Sequence, residues 1–462
     1  MSMRYKASII TATYNPLLVA SAPTIGIASK GDTTASITFT APTNVGGGLI
    51  TSYVMSSSSG ASGTGTTSPI VVTGLTNDVA VTFKVAAVNA YGAGTQSSSS
   101  NSVTPSSPIY SLFDWGWNNY GQLGQGNTTD RASPVQVGAL TTWLNIASGF
   151  GHTIATKTDG TLWTWGFNAY GQLGQGDITD RSSPVQVGAL TTWLNIASVD
   201  RHTIATKTDG TLWLWGRNNY GQLGQGDITD RSSPVQVGAL TTWSKIAGGF
   251  RHTIATKTDG TLWTWGWNNF GQLGQGDVTY RSSPVQVGAL TTWLNIAGGY
   301  KYTIATKTDG TLWTWGRNTE GQLGQGDITV RSSPVQVGAL TTWLNIAGGY
   351  GHTIATKTDG TLWTWGRNSH GQLGQGDVTH RSSPVQVGAL TTWLNIASGN
   401  YHAIATKTDG TLWTWGNNGL GQLGQGNQGN TTYRSSPVQV GALTTWSKIA
   451  GAGHHNIAFT SA

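Results

Sequence analysis

The chain has 462 residues, of which 66 are glycine and 10% are charged, and its formal net charge at neutral pH is +6. This composition is typical of a turn-rich all-β protein rather than a disordered one, and the length accommodates two or three domains. Because the sequence contains no cysteine, disulfides, thiolate catalysis and cysteine zinc sites are excluded. Basic and acidic residues are interleaved without a clustered basic stripe, which argues against nucleic-acid binding.

The first 21 residues are predicted to form an N-terminal docking arm. Arg4 and Lys6 precede a mildly apolar run, but polar residues and Pro16 interrupt that run where a secretory signal needs continuity. No stretch approaches the roughly 18 apolar residues of a membrane helix, so we expect no insertion into a membrane. A short, extended arm suits contact with a partner, and a frayed terminus is the simpler alternative.

Residues 22–105 have a different texture, rich in Ser, Thr, Val and Gly. The marker segments of this region are ASITFTAP at 35–42, VVTGL at 71–75 and FKVAAVNAYG at 83–92. These segments resemble the fibronectin type III family, which implies a β-sandwich with Phe39 in place of the usual core tryptophan and Val81 in place of the usual tyrosine. The resemblance implies a spacer between other domains.

From residue 111 to the end, one unit of 50 residues recurs seven times. A Trp-Gly pair marks each copy at a constant period, with tryptophans at Trp115, Trp165, Trp215, Trp265, Trp315, Trp365 and Trp415. Repeats of this length are typical of solenoids, propellers and arrays. A Ser- and Pro-rich linker over Ser97–Ser107, with the boundary at residues 106–110, is expected before the first copy.

Each copy is predicted to contain four short strands and no helix. In one copy the strands are Thr161–Trp165, Pro184–Val187, Trp193–Ala197 and His202–Lys207, each bounded by Gly, Asp or Ser. Asp209-Gly210 follows the fourth strand, and Asp-Gly between alternating strands predicts a hairpin with a type I′ turn. Four strands in each of seven copies fit a seven-bladed β-propeller, so the predicted fold class is all-β.

The run HTIATKTDGTLWTWG, followed by an asparagine and Gly-Gln-Leu-Gly, resembles the repeat of the regulator of chromosome condensation family. The resemblance extends over residues 111–462 and implies a seven-bladed propeller that acts as a binding platform. Members of that family include a nucleotide exchange factor for a small GTPase, ubiquitin ligase modules and a secreted inhibitor of β-lactamase. The inserted wedge of the exchange factor is missing here, since the only insertion is the short one at Asn427–Asn430.

The two ends of the repeat region are expected to pair with each other. The first strand, Ser111–Trp115, has no preceding hairpin partner, and the last strand, residues 455–460, has no following one. Their pairing closes the propeller over residues 111–462 and removes an open sheet edge that would invite association.

The seven copies differ at few positions, and those positions define the candidate site. Strand parity places the long loop after the first strand and the short loop after the third on one face, and the turns GALTT and TDG on the other. The variable face is rich in Trp, Tyr, Phe, Arg and His, as binding hot spots are. Neutral drift of exposed loops is the alternative, but drift would also have changed the opposite turns. The predicted partner-binding residues are Trp117, Tyr120, Phe167, Tyr170, Asp200, Arg201, Arg217, Tyr220, Arg251, Trp267, Phe270, Tyr280, Tyr300, Lys301, Arg317, Glu320, Arg367, His370, His380 and Tyr401. We expect the large rings of this set to be exposed to solvent.

Enzyme chemistry has little support, and no cofactor or metal is predicted. Glu320 is the only glutamate, and the aspartates mostly recur as turn residues, so no isolated carboxylate pair is available for acid and base roles. His370 and His380 share one loop but are weak metal candidates. Six histidines share one repeat position without a carboxylate or cysteine at ligand spacing, which favours a structural role. They are His152, His202, His252, His352, His402 and His455.

Two functional hypotheses follow from the sequence. The opening residues MSMRYKASIITAT, which run into the fibronectin-like module, resemble the starts of some tailed-bacteriophage virion proteins. That resemblance favours a structural and adhesive virion appendage, whose arm contacts other virion proteins and whose propeller binds a protein or glycan receptor. The alternative is a cytoplasmic regulatory propeller of the GTPase exchange-factor or inhibitor kind. Homo-oligomerisation is compatible with both.

Overall fold

The computed structural model describes residues 18–106, 110–198, 200–429 and 432–461. All regular secondary structure within these ranges is β-strand. The chain divides into two compact units, residues 1–108 and 109–462. The predicted docking arm falls mainly on residues 1–17, outside the described residues. No described segment forms a helix long and apolar enough to span a membrane.

The first unit consists of two antiparallel sheets. Its strands are β1 (Thr24–Lys30), β2 (Ala35–Thr40), β3 (Ser52–Ser57), β4 (Ser62–Gly65), β5 (Ile70–Val72), β6 (Phe83–Asn89) and β7 (Gly92–Ala93). One sheet has the order β1-β2-β5 and the other β4-β3-β6-β7. Alternate side chains of β2 enter the core. There the ring of Phe39 packs on Tyr53 with 4.5 Å between centroids, and Val81 is buried in the same cluster.

The Ser-rich stretch after β7 is not a free linker over its whole length. The amide of Ser97 donates to the carbonyl of Val85 at 2.9 Å, and Val103 pairs with Val81. The prediction that the linker begins at Ser97 is therefore wrong, because these residues continue the sheet beside β6.

The second unit contains seven four-stranded antiparallel sheets, the blades of a propeller. Its first strands are β8 (Tyr110–Gly116), β9 (Arg131–Gln136), β10 (Trp143–Ser148), β11 (His152–Lys157), β12 (Leu162–Gly166), β13 (Arg181–Gln186), β14 (Trp193–Ser198), β15 (His202–Lys207), β16 (Leu212–Gly216), β17 (Arg231–Gln236), β18 (Trp243–Gly249), β19 (His252–Lys257), β20 (Leu262–Gly266) and β21 (Arg281–Gln286). They are followed by β22 (Trp293–Gly299), β23 (Tyr302–Lys307), β24 (Leu312–Gly316), β25 (Arg331–Gln336), β26 (Trp343–Gly348), β27 (His352–Lys357), β28 (Leu362–Gly366), β29 (Arg381–Gln386), β30 (Trp393–Ser398), β31 (His402–Lys407), β32 (Leu412–Gly416), β33 (Arg434–Gln439), β34 (Trp446–Ala452) and β35 (His455–Ser461).

Each blade runs from an inner strand to an outer strand that belongs to the next copy of the repeat, as in the order β10-β11-β12-β13. The inner strands contact one another in turn and close a circle around a central channel; they are β10, β14, β18, β22, β26, β30 and β34. The last blade has the order β34-β35-β8-β9. In it β35 pairs with β8, from His455 opposite Gly116 to Ser461 opposite Tyr110. The two ends of the repeat region therefore share one sheet.

The bounds of several strands and one turn type differ from the prediction. The outer strand begins at Arg181 rather than Pro184, because Arg181 pairs with Gly166 across a bulge. The preceding strand is Leu162–Gly166, since Thr161 is engaged by the carboxylate of Asp159.

The Asp-Gly hairpin is present in every blade except β34-β35-β8-β9, in which the two ends of the repeat region meet. Its turn is not type I′. In the first such hairpin the amide of Gly160 donates to the carbonyl of Lys157, and the amide of Lys157 donates to Thr161, both at 3.0 Å. Only Gly160 has a positive φ, of 77°, while Asp159 does not. This is a three-residue loop, a type I turn followed by a left-handed glycine.

The apolar core of the propeller lies between adjacent blades. Trp215, the tryptophan of one Trp-Gly pair, is fully buried, and its indole N–H donates to the carbonyl of Gln172 in the preceding blade at 2.9 Å. Trp193 packs against it with 5.9 Å between ring centroids. The ammonium of Lys207 lies 3.6 Å from the ring of Trp213, which explains why this lysine recurs beside each hairpin. Such buried rings dominate the packing energy of each seam.

A circle of buried polar side chains also joins the blades. Five of the six repeated histidines hydrogen-bond with the next blade: His152 with Thr203, His202 with Thr253 and His252 with Thr303 at 3.1 Å, His402 with Asn456 at 2.9 Å, and His455 with Thr153 at 3.2 Å. Burial lowers the pKa of these histidines to about 3 or 4, so they are neutral structural groups. The circle is interrupted at His352, whose ring nitrogens have no hydrogen-bond partner among the described residues. At that seam Ala403 replaces the threonine.

Restoring the missing hydroxyl should strengthen this seam. We expect Ala403→Thr to raise the free energy of unfolding by about 1 kcal/mol, because the new hydroxyl would bond His352 as Thr203 bonds His152. The reverse change, Thr203→Ala, should lower it by a similar amount. Urea unfolding of both variants measures these changes. Unchanged unfolding midpoints would show that the circle of buried polar side chains contributes nothing to stability.

Asp114 in β8 is a fully buried carboxyl group. Neither of its oxygens makes a well-formed hydrogen bond among the described residues, although the amide of Trp115 and the hydroxyl of Thr153 lie near enough to oppose the effect of burial. Desolvation by burial raises the pKa of this carboxyl well above its usual range. Five other copies carry a threonine at this position, and its hydroxyl donates to a loop carbonyl, as Thr164 does to Leu173 at 2.7 Å. Asp114 therefore weakens the blade that closes the propeller.

Asp114→Thr should stabilise the propeller at neutral pH by roughly 2 kcal/mol, the typical cost of an unsatisfied buried polar group. Because the folded pKa is raised, the folded state holds the proton more tightly than the unfolded state. The stability of the parent chain therefore falls as the pH rises from about 4 through the folded pKa. The gain from the substitution should be larger at pH 7 than at pH 4 in urea unfolding. An equal gain at both pH values would contradict this titration.

Candidate functional site

The long loop after the first strand of each copy is held from within by buried polar side chains. Asn118 is fully buried; its Nδ2 donates to the carbonyls of Asn127 and Thr129 at 3.0 Å, and its Oδ1 accepts the amide of Leu123 at 2.9 Å. The side-chain oxygen of buried Gln122 accepts the amide of residue 120 at 2.9 Å. Since invariant side chains fix the loop, the variable positions 117 and 120 are free to carry different side chains.

One backbone hydrogen bond in each blade fastens this long loop to the short loop after an inner strand. The amide at position 117 or its equivalent donates at 2.7–3.0 Å to a short-loop carbonyl, in the pairs Trp117–His454, Phe167–Gly151, Arg217–Arg201, Trp267–Arg251, Arg317–Lys301, Arg367–Gly351 and Asn417–Tyr401. Both loops lie on one face of the propeller, here called the loop face. The variable residues of each blade are therefore neighbours.

The opposite face is formed by the invariant turns. The amide of Trp193 donates to the carbonyl of Gly160 at 3.1 Å, and the amide of Thr158 donates to Thr142 at 2.9 Å. Close packing explains part of the invariance, since a Cβ on Gly160 would clash with the carbonyl of Thr191. The contrast between the two faces therefore reflects packing as well as any selection for binding.

Side chains of the loop face form a closed circle of ring and cation contacts, here called the aromatic–cation band. Its members are Trp117, Tyr120, Phe150, Phe167, Tyr170, Asp200, Arg201, Arg217, Tyr220, Phe250, Arg251, Trp267, Phe270, Tyr300, Lys301, Arg317, Tyr350, Arg367, His370, Tyr401 and His454.

The first part of the band is a cluster of rings closed by an arginine. Trp117 packs edge-on against Tyr120 at 5.2 Å, and Tyr120 lies 4.5 Å from Phe167. The guanidinium of Arg201 lies 5.6 Å from the ring of Phe167, and its Nη1 donates to the hydroxyl of Tyr170 at 3.0 Å. Arg201 is thus both a hydrogen-bond donor and a cation over aromatic faces.

Asp200 links this cluster to the next. Its carboxylate is 3% exposed and lies 3.9 Å from the Nε atoms of both Arg201 and Arg251. Burial raises the pKa of Asp200, and the neighbouring guanidinium groups oppose that rise. One buried carboxylate therefore lies between two arginines of different blades, at the distance of a long ion pair and without a hydrogen bond to either Nε.

The second part of the band continues through stacked rings. Arg251 lies 4.6 Å from Phe250 and donates to the hydroxyl of Tyr220 at 2.8 Å. Tyr300 stacks on Tyr350 with 4.0 Å between centroids, and Tyr350 lies 5.0 Å from Tyr401. Burial raises the pKa of Tyr300 to about 12, so its hydroxyl remains a hydrogen-bond donor at physiological pH.

His454 completes the circle. Its ring lies 6.2 Å from that of Tyr401 on one side and 6.0 Å from that of Trp117 on the other. The band therefore crosses the blade in which the two ends of the repeat region meet.

The backbone of the short loops is strained at two cations of the band. Arg251 has a φ of 64° and Lys301 a φ of 66°, in the left-handed region that favours glycine. Placing a side chain there costs on the order of 1 kcal/mol, and such strain is concentrated at functional sites. The Nζ of Lys301 lies 4.6 Å from the rings of both Trp267 and Tyr300. The strained backbone thus holds a cation between two rings.

The rings are less exposed than the sequence suggested, because they cover one another. Trp267 is only 7% exposed, and its indole N–H donates to the hydroxyl of Tyr280 at 2.9 Å. Trp117 and Tyr220 are half-buried, and Asp200 is buried. The expectation of solvent-exposed rings is wrong for Trp267 and overstated for the others. Tyr280 and His380, which are not members of the band, lie exposed.

The remaining predicted residues form a small polar cluster beside the band. Glu320 lies 3.5 Å from Arg317 and 3.3 Å from the Nε2 of His380. The Nδ1 of His380 accepts the amide of Asn368 at 3.1 Å, whereas His370 packs against Tyr401 at 5.3 Å. Across the described ranges, no group of three His, Asp or Glu side chains is placed to hold a metal ion.

The predicted partner-binding set omits four rings of the band, Phe150, Phe250, Tyr350 and His454. They occupy the same two short-loop positions as Asp200, Tyr300 and Lys301, and these positions vary between copies. The comparison of copies identifies both columns as variable, but the predicted set includes only some of their members. Phe150, Phe250, Tyr300 and Tyr350 also surround, with Asp200, a cavity of about 120 Å³ at the mouth of the channel.

The fold and this face define a seven-bladed β-propeller that displays one variable loop surface. The model of the regulator of chromosome condensation (RCC1) repeat matches residues 111–156, 159–206, 209–256, 259–306, 309–356, 359–406 and 409–459. The chain belongs to the RCC1 repeat family.

Solved structures agree with this assignment at the level of the fold. Prp20p from Saccharomyces cerevisiae is similar over 77% of this chain and 92% of its own, with 20% identity and a TM-score of 0.69. Human WBSCR16 is similar over 76% of this chain and 99% of its own, with 21% identity and a TM-score of 0.68. No curated protein sequence matches the chain.

Proposed function

We propose that this protein is a binding platform that recognises a protein partner through the aromatic–cation band. The observation that carries the proposal is the closed circle of rings and cations, which lies on the loop face alone. Tyr, Trp and Arg are the residues that contribute most to protein interfaces. Their mutual contacts hold them in place before binding, which lowers the entropy cost of association.

The comparisons support a regulatory propeller better than a virion appendage. The Prp20p structure is described with its binding properties to Gsp1p and histones, and yeast RCC1 (Prp20) has also been solved bound to Kap60. Those partners belong to that protein, with which this chain shares the fold. We therefore favour an intracellular regulator of the exchange-factor or inhibitor kind. Because the wedge of the exchange factor is missing, an inhibitor or adaptor fits this chain better.

The virion hypothesis rests on residues 1–13, which lie outside the described residues, and it stays a prediction. It places the chain in an extracellular particle, with virion proteins at the arm and a protein or glycan receptor at the loop face. Finding the chain in purified particles would support this second function.

We also propose that the first unit is a fibronectin type III sandwich that spaces the propeller from another element. Its division into a three-stranded sheet, β1-β2-β5, and a four-stranded sheet, β4-β3-β6-β7, supports this. The core position of Phe39 supports it as well.

The matched substitution for the loop face comes from the repeat itself. Arg217, Arg317 and Arg367 share one position with Asn417. Changing all three arginines to asparagine should leave the melting temperature nearly unchanged, since partly exposed sites cost about 0.5 kcal/mol or less each. It should weaken partner binding by about 30-fold or more, or roughly 2 kcal/mol, if the arginines are hot spots. Calorimetry with Gsp1p, with histones and with a partner captured from the native host measures this.

Thr191→Ala with Thr192→Ala, on the opposite face, is the control and should leave the affinity unchanged. If the threonine pair abolishes binding while the arginine triple variant binds normally, the binding face has been assigned to the wrong side.

A further inference from the structure

The central channel contains a ring of polar side chains from the inner strands. Five copies place an asparagine there, and its Nδ2 donates across the seam to a carbonyl of the next inner strand. The donors and acceptors are Asn145 and Leu194, Asn195 and Ser244, Asn295 and Leu344, Asn345 and Leu394, and Asn395 and Ser447, at 2.7–3.4 Å. In these five copies the asparagine therefore links two adjacent inner strands by a hydrogen bond.

The other two copies carry a lysine at this position. The Nζ of Lys245 donates to the Oδ1 of Asn295 at 2.7 Å. The Nζ of Lys448 donates to the carbonyl of Leu144 at 2.6 Å and to the Oδ1 of Asn145 at 3.2 Å. Each lysine thus makes a contact across its seam, as asparagine does, but adds a positive charge that this contact does not require. An ammonium group has three donors, so each retains capacity for a ligand.

The two lysines lie on different sides of the same cavity. Lys245 is in β18 and Lys448 in β34, which are three inner strands apart in one direction around the circle and four in the other. The cavity has a volume of about 500 Å³ and is lined by the asparagines, the two lysines and a ring of isoleucines. Since the circle has seven members, the two charges lie nearly as far apart around it as the repeat allows.

No carboxylate compensates these charges within the cavity lining that the structure describes. Burial lowers the pKa of both Lys245 and Lys448, and no acidic group opposes that effect. A cleft lined by charge of one sign with low-dielectric walls concentrates counter-ions. The apolar ring of Ile146 and its equivalents forms such walls directly beside the polar ring.

We propose that the asparagine–lysine end of the channel is a binding site for a small polyphosphate anion, held between Lys245 and Lys448. Lysine is a common phosphate ligand, and the asparagine amides and Ser244 add neutral hydrogen-bonding groups. The placement of the two charges on opposite sides favours an anion with charge at both ends over a single phosphate. This site lies on the channel axis, lined by residues that the aromatic–cation band does not include, so it is independent of the proposed function.

Isothermal titration of the full chain with tripolyphosphate, pyrophosphate and inorganic phosphate tests the site. Saturable binding of one tripolyphosphate per chain is expected, with inorganic phosphate at least about tenfold weaker because it reaches one lysine only. Lys245→Asn with Lys448→Asn restores the residue of the other five copies, so folding should be preserved. This double variant should lose at least about tenfold in tripolyphosphate affinity, and each single variant should fall between it and the parent chain.

The arginine-to-asparagine triple variant of the loop face is the matched control, since it removes more positive charge elsewhere on the propeller. It should bind tripolyphosphate as the parent chain does. The proposal is overturned if the parent chain binds no tripolyphosphate, if the double lysine variant binds it equally well, or if the arginine variant loses binding instead. A thermal melt of each variant without ligand verifies that the comparison is between folded proteins.

Discussion

Closure of the circle is the constraint on which the rest of this structure depends. Seven blades meet only if every seam has nearly the same geometry. Each seam contains the same buried tryptophan, and in six of the seven its indole N–H donates to a neighbouring loop carbonyl, as in Trp215 and Gln172; the indole of Trp165 has no such partner among the described residues. A side chain of another size at a seam would change the angle between two adjacent blades. That change would displace all following blades, so the last blade would no longer meet the first. This explains why the copies are nearly identical in their strands and turns. Most of the variation lies in side chains outside the seams, and where a seam does vary, as at Ala403, a hydrogen bond between blades is lost.

The loop face shows how such a scaffold can carry diverse side chains with little loss of stability. Buried Asn118 and Gln122, with their equivalents, determine the path of each long loop, so the residues at positions 117 and 120 do not. A rigid support with replaceable side chains is the arrangement that interface design requires. The rings and cations of the aromatic–cation band then hold one another in place. The result is a surface whose chemistry differs from blade to blade while its backbone does not.

Most of the fold could be predicted from the sequence because its signals are periodic. The Trp-Gly spacing, the Asp-Gly hairpins and the unpaired strands at both ends indicate a propeller, and the RCC1 repeat match and the solved propellers confirm it. Details that depend on a partner strand could not be predicted. The bulge that brings Arg181 opposite Gly166 is one example, and the sheet pairing of Ser97 is another. For the candidate site, variability located the loops. The burial of Trp267, whose indole donates to the hydroxyl of Tyr280, arises from contacts between side chains that no single column of the repeat predicts.

The composite blade has a consequence for how the chain is made. Strand β8 is among the first parts of the propeller to be synthesised, yet its partner β35 is among the last, with Tyr110 opposite Ser461. Until β35 has been synthesised, one edge of β8 has no partner strand, because the two inner strands of that blade, β34 and β35, are the last to be made. Long-range pairing of this kind is slow and leaves sheet edges open to misassembly while translation proceeds. The nascent propeller is thus an incomplete circle of blades with unpaired strands at both ends. Those strands can pair with the equivalent strands of a second nascent chain, and because the copies are nearly identical, the sequence discriminates little against such pairing.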